Sequence, residues 1–168
     1  EIGIGTGINL DLYDFAKVSE LTGLDISQGM LDKSLERVQA GGLDGKVRLV
    51  RGDAANLPFE DGAFDTVVVT YALCVIPDAE ASLREVARVL KKGGKGKGYL
   101  VEHIASDFKP LASYQSFISP FIATFGKGCD PSKDIPSAVG KSGLQLMDID
   151  RRVGGTVAFM QVQPDNIG

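Results

Sequence analysis

The stretch "FDTVVVTYAL", residues 64–73, is apolar at nearly every position. A strand that faces water on one side alternates polar and apolar residues, and a strand without that alternation needs cover on both faces. Such a segment calls for helices above and below a largely parallel sheet. The rest of the chain supplies those layers. Residues 1–4 read as the tail of a strand, 8–17 as a helix and 18–24 as a strand. A second helix opens at Asp25-Ile26-Ser27, with Ser27 as N-cap and Met30, Leu31, Leu35 and Val38 on its apolar side. Gly41-Gly42 stops it. "KVRLV" (46–50) is the next strand. Residues 79–90 form a helix carrying Leu83, Val86, Ala87 and Leu90, and "GYLVEHI" (98–104) is a strand. Further helices are expected over 114–125, kinked or split by Pro120, and over 136–141, followed by a strand at 144–150. This alternation with short connections predicts a doubly wound, mostly parallel α/β sheet, one domain over residues 1–168. Ligands in such sheets sit beyond the carboxyl ends of the strands, where strand order reverses.

Composition removes several function classes. A net charge of -4 gives no reason to expect a nucleic-acid partner. The longest apolar runs fall short of a membrane span. Two cysteines, Cys74 and Cys129, make neither a disulfide framework nor a four-ligand zinc site, and a single histidine counts against a protein-built catalytic zinc. No metal is expected. Cys74 reads as a small buried hydrophobe, and Cys129 carries no legible role.

The opening "EIGIGTG" places Gly3, Gly5 and Gly7 between a strand and a helix. A phosphate-cradling P-loop needs Lys and Ser/Thr after its last glycine, and Ile8-Asn9 stand there. A dinucleotide fingerprint needs its third glycine at position 8, which is Ile8. What remains is acid-x-G-x-G-x-G, or a plain tight turn. Asp25 lies eighteen residues after Gly7, at the end of the next predicted strand. A carboxylate there can accept hydrogen bonds from both ribose hydroxyls, or act on the helix macrodipole. Asp53, just past a strand in "RGDAANLPFEDGAFDTVV", can take an adenine amino group while the amide of Ala54 meets a ring nitrogen. The alternative is an ordinary surface loop.

In order and spacing these signals resemble the class I S-adenosylmethionine-dependent methyltransferases. "GTGINLDLYD", "TYALCVIPDAEASLREVARVLKKGG", "YLVEHIASD" and "FGKGCDPSKD" further resemble the thiol S-methyltransferases of the methyltransferase-like group. That likeness runs over most of the chain and is strongest over residues 1–107. "EH" and "GC" are its distinguishing pieces, and the rest is shared with ubiquinone and menaquinone C-methyltransferases. The resemblance implies a methyl group moved from S-adenosylmethionine to a small molecule, a thiol among the candidates, leaving S-adenosylhomocysteine. It implies that Glu1, Gly3, Gly5, Thr6, Gly7 and Asn9 line the methionine end. Asp25, Ile26 and Met30 would hold the ribose and one adenine face, and Asp53 with Ala54 the adenine edge. Thr70, Tyr71 and Leu73 would lie near the reactive methyl group. Rival readings are a C- or O-methyltransferase of quinone or lipid precursors, a non-catalytic S-adenosylmethionine-binding domain and a nicotinamide dehydrogenase. Family members begin a buried strand before the acid and finish on a seventh strand. A trimmed domain is therefore expected, with a short first strand and a missing or incomplete last one. Membrane attachment would come through segments outside this stretch, and the location would be cytoplasmic or on the cytosolic side of a membrane.

The only histidine, His103, falls at the carboxyl end of the fifth strand, facing the expected cleft. Its ordinary pKa suits a general base; a hydrogen-bonded structural role beside Glu102 is the alternative. Tyr71 is a weaker catalytic candidate. Phe117, Phe121 and Phe125 recur at helical spacing, which favours core packing over a substrate wall.

Overall fold

A computed structural model describes residues 1–125 and 128–165. After a 3-10 turn at Ile8–Leu12 come β1 (Leu21–Asp25), α1 (Gln28–Ala40), β2 (Val47–Arg51), β3 (Thr66–Thr70), α2 (Ala79–Val89) and β4 (Lys97–His103). Then follow α3 (Lys109–Phe125), α4 (Ile135–Lys141), β5 (Leu144–Arg152) and β6 (Val157–Pro164). β1 and β2 pair in parallel, as do β3 and β4. Ile2 joins the two halves through parallel bridges to Leu24 and Val69. The spatial order is thus β2, β1, Ile2, β3, β4, β6, β5, with β6 antiparallel to both its neighbours. Chain direction across the sheet reverses at Ile2. The glycine loop leaves from that point, which is where a doubly wound sheet opens its ligand crevice.

Two apolar clusters cover the sheet. Ile4, Leu10, Leu21, Leu31 and Val38 pack α1 against β1. Leu24, Val67, Val69, Leu83, Val86, Ile135 and Val139 pack α2 and α4 on the other face. Leu21 and Leu24 belong to different clusters because successive strand residues point to opposite faces. Burying each large aliphatic side chain contributes about 1.5–3 kcal/mol. The helices are capped as their sequences direct. The Ser27 Oγ accepts the Met30 N–H and the Asp78 Oδ1 accepts the Ala81 N–H.

Several expectations need correction. The helix over 8–17 is only the five-residue 3-10 turn. The Asp14 carboxylate takes the Ala16 N–H and its carbonyl takes those of Lys17 and Val18, so a separate turn competes with helix extension. The strand over 64–73 shortens to Thr66–Thr70, because Tyr71 turns to φ 51°. Pro120 neither splits α3 nor ends it. Phe117, Phe121 and Phe125 are not core residues; they are 74%, 63% and 85% exposed. The last strand is present among the described residues: Val157–Pro164 pairs along its length with β5 and β4. Its alternation, with Ala158, Met160 and Val162 buried, is the period-two signal of a half-covered strand. Among the described residues no helix is long and apolar enough to cross a membrane.

Candidate functional site

The glycine loop and Asp25 form one unit. Gly3, Gly5 and Gly7 have φ of 71°, 58° and 75°, a left-handed run that only glycine adopts without strain. At Gly3 the bareness serves packing, since a Cβ would lie 2.6 Å from the Cβ of Ala72. At Gly5 it serves something else: a Cβ there would meet only the Gly3 carbonyl oxygen, at 3.9 Å. The backbone is stripped on a side that the protein leaves open. The Gly5 N–H donates to Asp25 Oδ2 at 2.9 Å, and the Ser27 N–H donates to Asp25 Oδ1 at 2.9 Å. Asp25 thereby fixes the loop while each oxygen keeps a lone pair for a ligand.

The other predicted residues take varied places. The Glu1 carboxylate is engaged on both oxygens, as that of Asp25 is. Its Oε1 accepts from Asn9 Nδ2 and its Oε2 from the Tyr13 hydroxyl, both at 2.8 Å. Burial first, then the charge of Glu1, drives the Tyr13 phenol far above its ordinary pKa, so it stays a donor. Asn9 also reaches Thr70 Oγ1 at 3.3 Å, which ties the loop to the end of β3. Tyr13 went unnoticed in the sequence because no spacing rule links it to Glu1. Thr6 is half-buried in the loop, Ile26 is exposed and Met30 half-buried on the first turn of α1. Asp53 lies two residues beyond β2, whose parallel register sets Asp25 opposite Arg51. Two carboxylates therefore stand at neighbouring strand ends. The Asp53 side chain is exposed and holds the Ala55 N–H at 2.9 Å, whereas the Ala54 side chain is buried.

The stretch after Asp53 is braced from α2. Glu85 accepts the Leu57 N–H, while Arg88 donates to the carbonyls of Leu57 and Phe59 and to Asp61. Arg88 also forks onto both oxygens of Glu85, and this pairing holds the Glu85 carboxyl below its ordinary range. Arg88→Ala is expected to cost about 1–2 kcal/mol of stability. A depressed carboxyl contributes stability above its unfolded pKa and loses it on acidification. The gap between the two proteins, followed by urea denaturation, should therefore narrow below about pH 4.3.

Tyr71 stands 44% exposed at the end of β3. Its ring packs on that of His103, at the end of β4, with centroids 4.7 Å apart. The Leu73 side chain is fully buried in the core. Its N–H, with that of Ala72, donates to Glu102 Oε1, and the Cys74 N–H donates to Oε2. Burial pushes Glu102 above the usual carboxylate range, against the pull of those donors. Burial also lowers the pKa of His103, which favours the neutral ring. Its Nδ1 is turned toward two sulfurs, 3.4 Å from Cys129 Sγ and 3.9 Å from Cys74 Sγ. Of the "FGKGCDPSKD" motif, Gly126 and Lys127 lie outside the described residues.

The sequence pattern of the methyltransferase-domain family matches residues 1–96. The chain belongs to that family. Among its relatives, a phosphatidylethanolamine N-methyltransferase of Cereibacter sphaeroides is 39% identical over 126 residues, covering 75% of this chain and 60% of that protein. A ubiquinone/menaquinone biosynthesis C-methyltransferase of Xanthomonas campestris is 31% identical over 151 residues, covering 80% and 60%. The aligned part therefore spans about three fifths of these relatives' length. The fold matches a candidate methyltransferase from Bacillus halodurans with a TM-score of 0.79 at 18% identity, over 98% of this chain and 90% of that one. The architecture of this methyltransferase-family chain is thus the Rossmann-like one expected from its sequence.

Proposed function

We propose that this chain binds S-adenosylmethionine across Gly5, Asp25 and Asp53 and brings its methyl group to a small-molecule acceptor beside Tyr71 and His103. The observation that carries the reading is the Asp25–Gly5 hydrogen bond, which welds the acid and the bare peptide into one cradle at the reversal point of the sheet. The residues fit the cofactor in chemistry: paired carboxylates for ribose and adenine donors, and an unobstructed main chain at Gly5. When bound, S-adenosylmethionine supplies an electrophilic methyl on a positively charged sulfur, whose departure needs no proton. The protein's part is then alignment, which is worth about 7–11 kcal/mol where geometry is good.

Tyr71 and His103 form the wall on which an acceptor would be oriented. With Nδ1 turned to the sulfurs, Nε2 is the nitrogen left for the acceptor. A thiol with a pKa of about 8.5 already carries some thiolate at neutral pH and asks little of a base. This supports the thiol reading that the sequence resemblance favours. A second reading, an amphiphilic lipid or quinone precursor, is supported by the uncovered Phe117, Phe121 and Phe125 and by what the relatives are named for. Labelled-methyl transfer to an alkyl thiol, a phospholipid amine and a quinone precursor separates the two. Counts in the thiol alone support the first reading, counts only in the amphiphiles support the second, and counts in none overturn the activity.

Tyr71 holds a left-handed backbone at a cost of about 1–2 kcal/mol, a kind of strain that gathers at functional sites. Tyr71→Gly is expected to leave stability within about 1 kcal/mol while slowing methyl transfer at least about tenfold, since it removes the wall and the strain together. An unchanged kcat would remove Tyr71 from the acceptor side.

A further inference from the structure

We infer that Cys74, His103 and Cys129 form a binding site for a thiophilic divalent cation such as Zn²⁺, with three protein ligands and a fourth position left open. The fold gathers here both cysteines and the only histidine of the chain. They come from three separate segments: the turn after β3, the end of β4, and the connection between α3 and α4. Sequence spacing could not show this, because the cysteines are 55 residues apart.

The geometry fits a small soft cation. Sγ of Cys74 and Sγ of Cys129 are 3.3 Å apart, and His103 Nδ1 lies 3.4 and 3.9 Å from them. A triangle with these sides has a circumradius of about 2.1 Å, just inside the Zn–S distance of about 2.3 Å and level with Zn–N at about 2.0–2.1 Å. A cation about 1 Å off the plane of the three atoms touches all of them, which is the arrangement of a tetrahedral site with one open corner. Thiol hydrogen bonds alone would need only one of the sulfurs near the ring.

The ligands are also held in place by the backbone. The Cys74 N–H is fixed by Glu102 Oε2, and the Cys74 carbonyl accepts the Asp130 N–H at 2.9 Å, which pins the residue next to Cys129. His103 is stacked on Tyr71. Glu102 and Lys133, whose Nζ sits on the Leu73 and Ile76 carbonyls, brace the turn that carries Cys74. Cation binding displaces the thiol protons, so it weakens as pH falls. None of this depends on the methyl-transfer reading.

The test uses the full chain, reduced with a non-thiol reductant, stripped of metal and titrated with Co²⁺. One equivalent should bind with the visible bands of tetrahedral cobalt and a near-ultraviolet sulfur-to-cobalt band, and zinc should displace it. That band should fall to about half or less in Cys129→Ser and in Cys74→Ala, and vanish in the double variant. His103→Asn should lower cobalt affinity at least about tenfold with circular dichroism unchanged. Cys129 is only half-buried, so its variant keeps the test open if Cys74→Ala fails to fold. A reduced wild-type protein that binds no cobalt, or binds it without the sulfur band, overturns the inference. So does a protein that merely closes a Cys74–Cys129 disulfide in air and takes up no metal when reduced.

Discussion

Glu102→Ala is expected to lower the unfolding free energy by about 3–5 kcal/mol, read as a fall in the urea midpoint at unchanged m-value. Glu102 is fully buried in the middle of the sheet, yet it is the acceptor for three consecutive backbone N–H groups, those of Ala72, Leu73 and Cys74, at 2.9, 2.8 and 3.2 Å. The chain leaves β3 through the left-handed Tyr71, so no neighbouring strand can take these donors. Alanine would orphan all three, at about 1–3 kcal/mol each, and open a void besides. Backbone relaxation and entering water keep the loss below the simple total. Glu102→Gln retains one carbonyl oxygen for Ala72 and Leu73 but sets an amide NH₂ against the Cys74 N–H, so its cost should be nearer 1–2 kcal/mol. A loss below about 1 kcal/mol for the alanine variant would mean that the turn carrying Tyr71 and Cys74 is held by something else.

This peg also shows what the sequence conveys and what it withholds. Val67 and Val69 are apolar because helices cover the sheet, and that much is written in residues 64–73. Asp25 and Gly5 were legible for a local reason: the acid ends a strand and the glycines follow another, so topology alone brings them to one place. The same topology allowed His103 to be placed beside Tyr71. That the Leu73 side chain turns into the core was not legible, since the left-handed φ at Tyr71 just before it has no signature in a non-glycine residue. The helix over 8–17 failed because periodicity could not register Asp14 bonding its own neighbours. The partners of Glu102, and the meeting of Cys74 with Cys129, depend on a loop closing over the sheet, with no period or motif to announce it. The phenylalanines of α3 have the right spacing for a core, but spacing says only that they share a face, not that anything covers it.

The second large effect concerns the cofactor. Asp25→Ala is expected to weaken S-adenosylmethionine binding about thirtyfold to a thousandfold, or about 2–4 kcal/mol by calorimetry. Each oxygen of Asp25 already holds one backbone N–H, and each can accept a further hydrogen bond. Two charge-assisted bonds to ribose hydroxyls account for most of the loss. The remainder comes from freeing Gly5, whose left-handed conformation the carboxylate helps to fix. Asp25→Asn divides the two contributions: it can keep one acceptor but must turn its NH₂ toward either Gly5 or Ser27, so an intermediate affinity is expected. Asp53→Ala should weaken binding less, by about 1 kcal/mol, since that carboxylate is exposed and competes with water. If Asp25→Ala binds as tightly as the parent, or if NAD binds where neither S-adenosylmethionine nor S-adenosylhomocysteine does, then the ribose lies elsewhere and the cradle at Gly5 holds some other ligand.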